Sequence, residues 1–217
     1  MGMQMPGWFD IDHLDESSFR SMIQGHKSFD PEGIDESVGY VKDLIAREIE
    51  AGIPAERIVV GGFSQGGHIA LKAALQHAPT LAGCVALSTW LEPLNNGSSK
   101  TSLATNLPIF HGHGTADPLI PITIAAATQK VFESLRFSKV ESKFYPGMGH
   151  SSCTEEMADL KRFLNTILPD IAAAPPTREE VSSMSTRQLK EFLHSQGIST
   201  VGLLEKNELL TKALDSL

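Results

Sequence analysis

The amino-acid sequence predicts an α/β fold, with a largely parallel sheet between helices, followed by a small helical module. In residues 1–168, short apolar runs alternate with amphipathic helical patterns, an order typical of parallel sheets built from strand–helix units. Residues 169–176 combine an alanine run with paired prolines and are expected to form a linker. Residues 177–217 carry two apolar stripes at helical spacing, which predict a module near the lower size limit for independent folding.

The predicted elements of the first domain follow from the spacing of its apolar residues. An amphipathic helix with apolar residues from Val38 to Ile49 ends near Gly52. The remaining elements are, in chain order, a strand at about 57–61, a helix at about 65–77, a strand at 81–88, a loop at 92–106, a strand at 107–112, a helix at 120–137, a strand at 140–145 and a helix from 152 to about 168. Ser152 and Glu155 have the spacing of a capping box for the last helix.

The C-terminal module shows the signals of two short helices. Ser185 and Gln188 have the spacing of a capping box, and Gly197 is expected to end the helix that they open. Apolar residues from Leu209 to Leu214 stripe the second helix.

The segment around Ser64 has the pattern of a nucleophile elbow. A β-branched run leads into Gly62-x-Ser64-x-Gly66, and an Ala/Leu-rich helical pattern follows directly, which is the strand–turn–helix order that this motif requires. Small neighbours at Gly62 and Gly66 are expected to avoid clashes in a crowded turn. The amide of Gln65, at the helix N-terminus, could then stabilise an oxyanion. The alternative is an ordinary glycine-rich turn with an incidental serine.

Two loops downstream offer partners for this serine. A serine hydroxyl needs a base, and the base needs an orienting carboxylate. Asp117 follows the third predicted strand and His150 follows the fourth, and functional residues of such sheets collect beyond the carboxyl ends of the strands. The chain order Ser64, Asp117, His150 is that of α/β-hydrolases. Asp117 on its own could equally be a turn former, since it precedes a proline.

Other candidate groups are less favoured. His111 and His113 together with Asp117 could suggest a metal site, but further ligands are not apparent and the adjacent glycines fit a turn better. We therefore expect neither a metal nor another cofactor. His68 and His77 are expected to be surface or packing residues.

Composition and charge restrict the class of partner. The formal net charge of −8 and the isoelectric point of about 5.4 argue against nucleic acid or an anionic membrane as the main partner. The two cysteines, Cys84 and Cys153, do not make a disulfide framework, so a reducing compartment fits best. Cys153 begins a helix, which can lower the pKa of a thiol, but without a separate base it is expected to be structural. Neither a membrane span nor a signal peptide is apparent. These observations predict a soluble cytoplasmic protein.

Five blocks of sequence recur in a fixed order between about residues 5 and 168. They are Pro6–Ile11, Gly61–Gly67, Leu87–Leu91, His111–Gly112 with Asp117–Pro121, and Gly149–Cys153. Together they resemble the acyl-protein thioesterases, which belong to the phospholipase/carboxylesterase branch of the α/β-hydrolases. The resemblance implies hydrolysis of S-palmitoyl or other long-chain acyl thioesters on cytosolic proteins, with lysophospholipid or small carboxyl esters as side substrates.

The same resemblance implies roles for individual residues. It makes Ser64 the nucleophile, Asp117 the orienting carboxylate and His150 the base. It also makes Gln65 the source of one oxyanion amide. It places Trp8, Phe9, Trp90 and Leu119 near the acyl-binding region. From the residues alone, Trp8, Phe9 and Trp90 fit either a core or a pocket wall.

The sequence departs from the family pattern at its N-terminal end. The family carries further strands and a second oxyanion loop upstream of the segment around Trp8, and neither precedes Met1 here. We therefore expect a sheet that lacks its first strands, with residues 57–61 at a bare edge. Turnover at least about a hundredfold below that of a family-type chain is expected as well.

The C-terminal module is the second departure. Ser185–Lys190 and Glu205–Leu209 resemble a SAP-like helix–loop–helix. Residues 177–217 hold five basic and six acidic side chains, a poor balance for phosphate binding, so a protein partner is favoured over nucleic acid. A catalytically silent hydrolase-like interaction protein is the main alternative to an enzyme, and a SAP-type nucleic-acid-binding adaptor is less favoured.

Overall fold

The computed structural model describes residues 7–11, 15–23, 26, 29–77, 80–92, 104–169, 176–203 and 205–217. The chain divides into two compact units, Met1–Pro169 and Asp170–Leu217. Most of the predicted linker, and most of the predicted loop at 92–106, lie outside the described residues. In the described part of the chain, no helix combines the length and the apolar character needed to cross a membrane.

The first unit is an α/β structure, as predicted. Its elements are α1 (Glu16–Ile23), α2 (Pro31–Glu50), β1 (Val59–Phe63), α3 (Gln65–Leu75), β2 (Gly83–Leu87), β3 (Ile109–Gly114), α4 (Ile122–Ser134), β4 (Val140–Tyr145) and α5 (Thr154–Ile167). The four strands form one parallel sheet in the order β1-β2-β3-β4. Within the described residues, β1 and β4 are therefore its outer strands. A parallel sheet whose strands alternate with helices is the α/β-hydrolase type of architecture.

The register of the sheet brings the carboxyl ends of its strands to one edge. Phe63, the last residue of β1, pairs with Leu87, the last residue of β2. Leu87 in turn pairs with Gly112 in β3, and Gly114 pairs with Tyr145 at the ends of β3 and β4. The segments that follow the four strands therefore meet along this edge, where ligand sites of such sheets form.

Helices cover both faces of the sheet. On one face, Leu71 of α3 and Phe132 of α4 share a buried cluster with Ile109 of β3. On the other face, Phe163 of α5 packs with Phe110 of β3 in a second cluster. Burial on both faces explains why buried and exposed residues do not alternate along β2 and β3.

Three strands differ from their predicted bounds, two of them because glycine and histidine were taken as turn signals. The strand predicted at 57–61 lies at 59–63 and continues through Gly62. The strand predicted at 81–88 is shorter and lies at 83–87. The strand predicted at 107–112 continues to Gly114 and is buried along its whole length, so the prediction that its last residues form a turn is wrong. Of the other elements, α1 was not predicted.

The start of α5 corrects the predicted capping box. The N-cap residue is Cys153, whose Sγ accepts a hydrogen bond from the backbone N–H of Glu156 at 3.4 Å. Ser152 lies one residue too early for this position. The box predicted for Ser152 and Glu155 is therefore wrong, although the helix itself is present.

In its described residues, the second unit contains three short helices around a small core. They are α6 (Arg178–Ser183), α7 (Thr186–Ser195) and α8 (Lys206–Asp215). The predicted capping box of Ser185 and Gln188 is present, and Gly197 beyond the end of α7 has a φ of 72°. The first helix was missed because it spans only six residues. The buried core consists of Val181, Leu189, Leu193, Leu209 and Ala213.

Candidate active site

Ser64 stands between β1 and α3 in a strained backbone conformation. Its φ of 56° and ψ of −125° fit neither strand nor helix. Two hydrogen bonds with residues at and just beyond the end of β2 hold its backbone N–H and its carbonyl. The N–H of Ser64 donates to the carbonyl of Leu87 at 2.9 Å, and the hydroxyl of Thr89 donates to the carbonyl of Ser64 at 2.7 Å.

The glycines around Ser64 are there for steric reasons. A Cβ on Gly62 would lie 2.2 Å from the carbonyl carbon and oxygen of Gly66, a contact that no side chain tolerates. A Cβ on Gly67 would lie 2.8 Å from the side chain of Thr89. At Gly66 the nearest neighbour is Nε1 of Trp8, at 3.3 Å, so the crowding predicted there is milder than at Gly62 and Gly67.

The structure brings the three predicted catalytic side chains into one hydrogen-bonded series. Nε2 of His150 lies 3.0 Å from Oγ of Ser64. Nδ1 of His150 lies 2.7 Å from Oδ2 of Asp117. The other carboxylate oxygen, Oδ1, accepts the backbone N–H groups of Leu119 at 2.8 Å and Ile120 at 2.9 Å. Both oxygens of Asp117 are therefore engaged, and the carboxylate has a fixed orientation.

Asp117 is kept ionised by its hydrogen bonds. Burial on its own would raise the pKa of this carboxyl. Hydrogen bonds from the N–H of Ile120, from His150 and from the N–H of Leu119 outweigh burial and hold the pKa below its ordinary value. A carboxylate that stays charged can hold the Nδ1–H of His150 and stabilise a positive imidazole ring.

The loops that carry Asp117 and His150 approach each other closely. A Cβ on Gly114, at the end of β3, would lie 2.1 Å from the carbonyl oxygen of Met148. The next residue but one, Ala116, donates its N–H to that same carbonyl at 3.0 Å. Only glycine at position 114 allows the two loops to approach this closely. This role of Gly114 was not predicted from the sequence.

Gln65 has two structural features of interest. Its backbone N–H lies in the first turn of α3, where amides have no acceptor within the helix and point beyond its N-terminus. Its side chain binds the N-terminal segment: Oε1 accepts the N–H of Trp8, and Nε2 donates to the carbonyl of Phe9, both at 3.1 Å. The binding of the N-terminal segment by the Gln65 side chain was not predicted.

The four predicted substrate-binding residues fall into two groups. Trp8 and Leu119 expose 42% and 46% of their surface. Phe9 and Trp90 are instead buried in an aromatic cluster, in which the ring of His68 stacks on Trp90 with centroids 5.0 Å apart. The side chains of Trp8 and Leu119 are therefore accessible to a ligand, whereas those of Phe9 and Trp90 belong to the core.

Phe63 was missed by the sequence analysis. It is 41% exposed, and its ring centroid lies 4.7 Å from that of His150. Its position next to Ser64, at the end of a strand with half-exposed residues, was the only available signal.

Two further polar candidates, His68 and His111, are buried in the first unit. His68 belongs to the aromatic cluster around Trp90, as expected for a packing residue. His111 lies inside β3, where burial lowers its pKa to about 3. Among the described residues, the histidine, cysteine and acidic side chains form no group of three or more that could hold a metal. Cys84 and Cys153 are free thiols.

The sheet, the strained serine at its carboxyl edge and the Ser–His–Asp series define a serine hydrolase with the α/β-hydrolase fold. The chain belongs to the phospholipase/carboxylesterase family, whose model matches residues 1–168. The prediction of this family from the five sequence blocks is thereby confirmed.

Similar proteins agree with this assignment. Acyl-protein thioesterase 1 of Neurospora crassa is 38% identical over 183 residues, which cover 83% of this chain and 73% of the relative. Acyl-protein thioesterase 1 of Cryptococcus neoformans is 40% identical over 177 residues, 75% of this chain and 71% of the relative. Among solved structures, Arabidopsis thaliana SOBER1 matches with a TM-score of 0.67 at 27% identity, over 77% of this chain and 76% of that one. Zea mays acyl-protein thioesterase 2 matches with a TM-score of 0.59 at 27% identity, over 74% and 72%.

Proposed function

We propose that this protein hydrolyses long-chain acyl thioesters on proteins, with Ser64 as nucleophile, His150 as base and Asp117 as orienting carboxylate. The observation that supports these roles most directly is the continuous series of hydrogen-bond distances, 3.0 Å from Ser64 to His150 and 2.7 Å from His150 to Asp117. The names of the similar proteins support the thioester substrate. Small carboxyl esters and lysophospholipids would be side substrates.

The reaction would proceed in two halves. Oγ of Ser64 attacks the thioester carbonyl as Nε2 of His150 takes its proton, and negative charge develops on the carbonyl oxygen. The N–H of Gln65 donates to that oxygen at the N-terminus of α3. The carbon–sulfur bond then breaks, and His150 returns the proton to the leaving thiolate. In the second half, water attacks the acyl-serine with His150 again as base, which releases the fatty acid and restores Ser64.

Three exposed apolar side chains support an acyl substrate. Phe63 lies beside the ring of His150, and Trp8 lies against the first turn of α3. Leu119 is two residues from Asp117. Each of the three exposes 41–46% of its surface, so each can bury apolar area against an acyl chain.

A fluorophosphonate probe distinguishes this function from that of a silent interaction protein, because labelling requires an activated serine. We expect one labelled residue, Ser64, and loss of labelling in Ser64→Ala. Ser152→Ala is the matched control, since Ser152 is exposed and lies close in sequence to His150 without entering the series. The same samples should release free thiol from an S-palmitoyl peptide. A wild-type chain that is folded but neither labelled nor active would support the silent alternative.

For the second unit we propose a protein partner, and for the whole protein a cytoplasmic setting. The three-helix unit has its own core, and its five basic side chains are outnumbered by six acidic ones. This balance disfavours phosphate contacts. Salt-sensitive binding of residues 177–217 to duplex DNA would overturn this part of the proposal.

A further inference from the structure

His113 touches the loop of Asp117 from inside the sheet. It lies in β3, and its side chain is fully buried. Its Nε2 lies 2.9 Å from the carbonyl oxygen of Ile120 and 3.5 Å from Oδ2 of Asp117. A carbonyl oxygen only accepts hydrogen bonds, so Nε2 of His113 must carry the hydrogen. This one N–H therefore faces both ends of the turn Asp117–Ile120.

The other ring nitrogen indicates that His113 is neutral. Nδ1 is buried and has no hydrogen-bond partner among the described residues. A bare lone pair at this position costs less than a buried, unpaired N–H of a charged ring would. Burial also lowers the pKa of His113, although the contacts with Ile120 and Asp117 oppose this effect. The neutral ring with hydrogen on Nε2 is the form that fits all these contacts.

The turn that His113 closes is the one that orients Asp117. The backbone N–H groups of Leu119 and Ile120 hold Oδ1, and this leaves Oδ2 directed at His150. His113 holds the carbonyl of Ile120 in the same turn. If that bond were lost, the turn could relax, and with it the direction of the carboxylate.

We propose that His113 is a positioning residue, which fixes the Asp117–Ile120 turn and so keeps Oδ2 of Asp117 in line with Nδ1 of His150. This role rests on the proposed function, because it assumes that Asp117 and His150 take part in catalysis. A neutral donor suits the task better than a cation. A positive ring 3.5 Å from Oδ2 would compete with His150 for the charge of the carboxylate.

Three variants test this role. His113→Leu removes the donor, and we expect kcat to fall by about 10–100-fold with little change in KM, because small errors in alignment act on the chemical step. His113→Gln keeps a neutral N–H donor and should stay within about fivefold of wild type. His111→Leu is the matched control: His111 is equally buried on the same strand, and its Nδ1 lies 3.3 Å from Oγ of Ser142 on β4. It should lose stability but keep its kcat.

A proton NMR signal gives a second, independent measurement. The Nδ1–H of His150 that donates to Asp117 should give a strongly downfield resonance in the wild type, in His113→Gln and in His111→Leu. We expect it to shift or broaden in folded His113→Leu. If His113→Leu does not fold, His113→Asn replaces it, because its shorter amide cannot reach the Ile120 carbonyl.

The outcomes separate this proposal from the proposed function. Wild-type kcat and an unchanged resonance in His113→Leu would overturn the role of His113 and leave the triad intact. An equal fall of kcat in His113→Leu and His111→Leu would also overturn it, since the effect would then come from general disturbance of β3. If the fluorophosphonate probe does not label Ser64 in the wild type, the proposed function is wrong. The His150 Nδ1–H resonance would still show whether His113 aligns Asp117 with His150.

Discussion

The two halves of the site are held by different means. Ser64 is fixed by its backbone. The turn has a strained conformation, and a side chain larger than that of glycine does not fit at position 62. Asp117 and His150 are fixed by side-chain hydrogen bonds that converge on one carboxylate. The first half should therefore fail by misfolding when its crowded glycines are replaced. The second should fail by misalignment within a chain that remains folded.

The largest effect is expected from the side-chain half. Asp117→Asn keeps the shape of the side chain but can present an NH₂ group to His150 and favour the wrong tautomer. We expect kcat to fall by about 10⁴-fold, as is usual for the orienting carboxylate of a triad, with little change in the unfolding transition. Steady-state kinetics and thermal unfolding measure the two quantities. A variant that is active yet unstable would break the comparison.

The backbone half is tested by Gly62→Ala. The added methyl group would lie 2.2 Å from backbone atoms of Gly66, so we expect destabilisation of about 3 kcal/mol or more. Gly39→Ala is the control, because no atom lies within 4 Å of its Cβ position and it is inside α2. That change should stabilise the chain by about 0.5–1 kcal/mol. Denaturant unfolding gives both values, and effects of the same sign would contradict this account of the elbow.

Glu156 is a buried carboxyl that does not belong to the Ser64–His150–Asp117 series, and it can be compared with Asp117. It is fully buried, neither of its oxygens has a hydrogen-bond partner among the described residues, and burial raises its pKa to about 7. The stability that comes from the raised pKa is fully present below about pH 4.5, the ordinary value, and is lost as pH rises through about 7.

Glu156→Gln should remove this pH dependence. Above pH 7 the variant should be more stable than wild type by about 1–3 kcal/mol, since it no longer buries a charge. Glu155→Gln, an exposed neighbour in the first turn of α5, serves as the control and should leave the slope unchanged. Unfolding free energies across pH 4–8 give the comparison. Parallel curves for wild type and Glu156→Gln would show that the buried carboxyl is not what titrates.

The smallest effect is expected from the second unit. Its apolar core is formed by its own helices, so a chain ending at Asp170 should keep its kcat/KM within about twofold. Kinetics of the full and shortened chains would test this. A large loss would mean that residues 177–217 support the hydrolase unit.

The contrast between the two halves also explains what the sequence could reveal. The elbow was predictable because a strained turn requires small residues at fixed spacings. Gly62 was predicted for this reason and is crowded, Gly66 was predicted and is only mildly crowded, and the crowding at Gly67 was not predicted. The order of Ser64, Asp117 and His150 was predictable because parallel strands bring their carboxyl ends together.

The supporting side chains were not predictable in the same way. His113 was expected in a turn, or less favourably in a metal site, because a histidine between glycines does not look like part of a buried strand. Its hydrogen bond to the Ile120 carbonyl depends on how the loop after β3 folds back toward the strand, and the spacing of residues in the sequence does not show this. Phe9 and Trp90 were equally ambiguous, because a large aromatic side chain fits a core as well as a pocket wall. In the structure both side chains pack against His68, so both belong to the core.

The most direct test of the central claim compares Ser64→Ala, His150→Ala and the double variant in thioester hydrolysis, at matched folded concentration. If the two side chains act as one unit, each single change should lower kcat/KM by about 10⁴-fold or more, and the double variant should lose little beyond that. Losses that multiply in the double variant would mean that Ser64 and His150 act independently. Full activity in either single variant would contradict the assignment of the site itself.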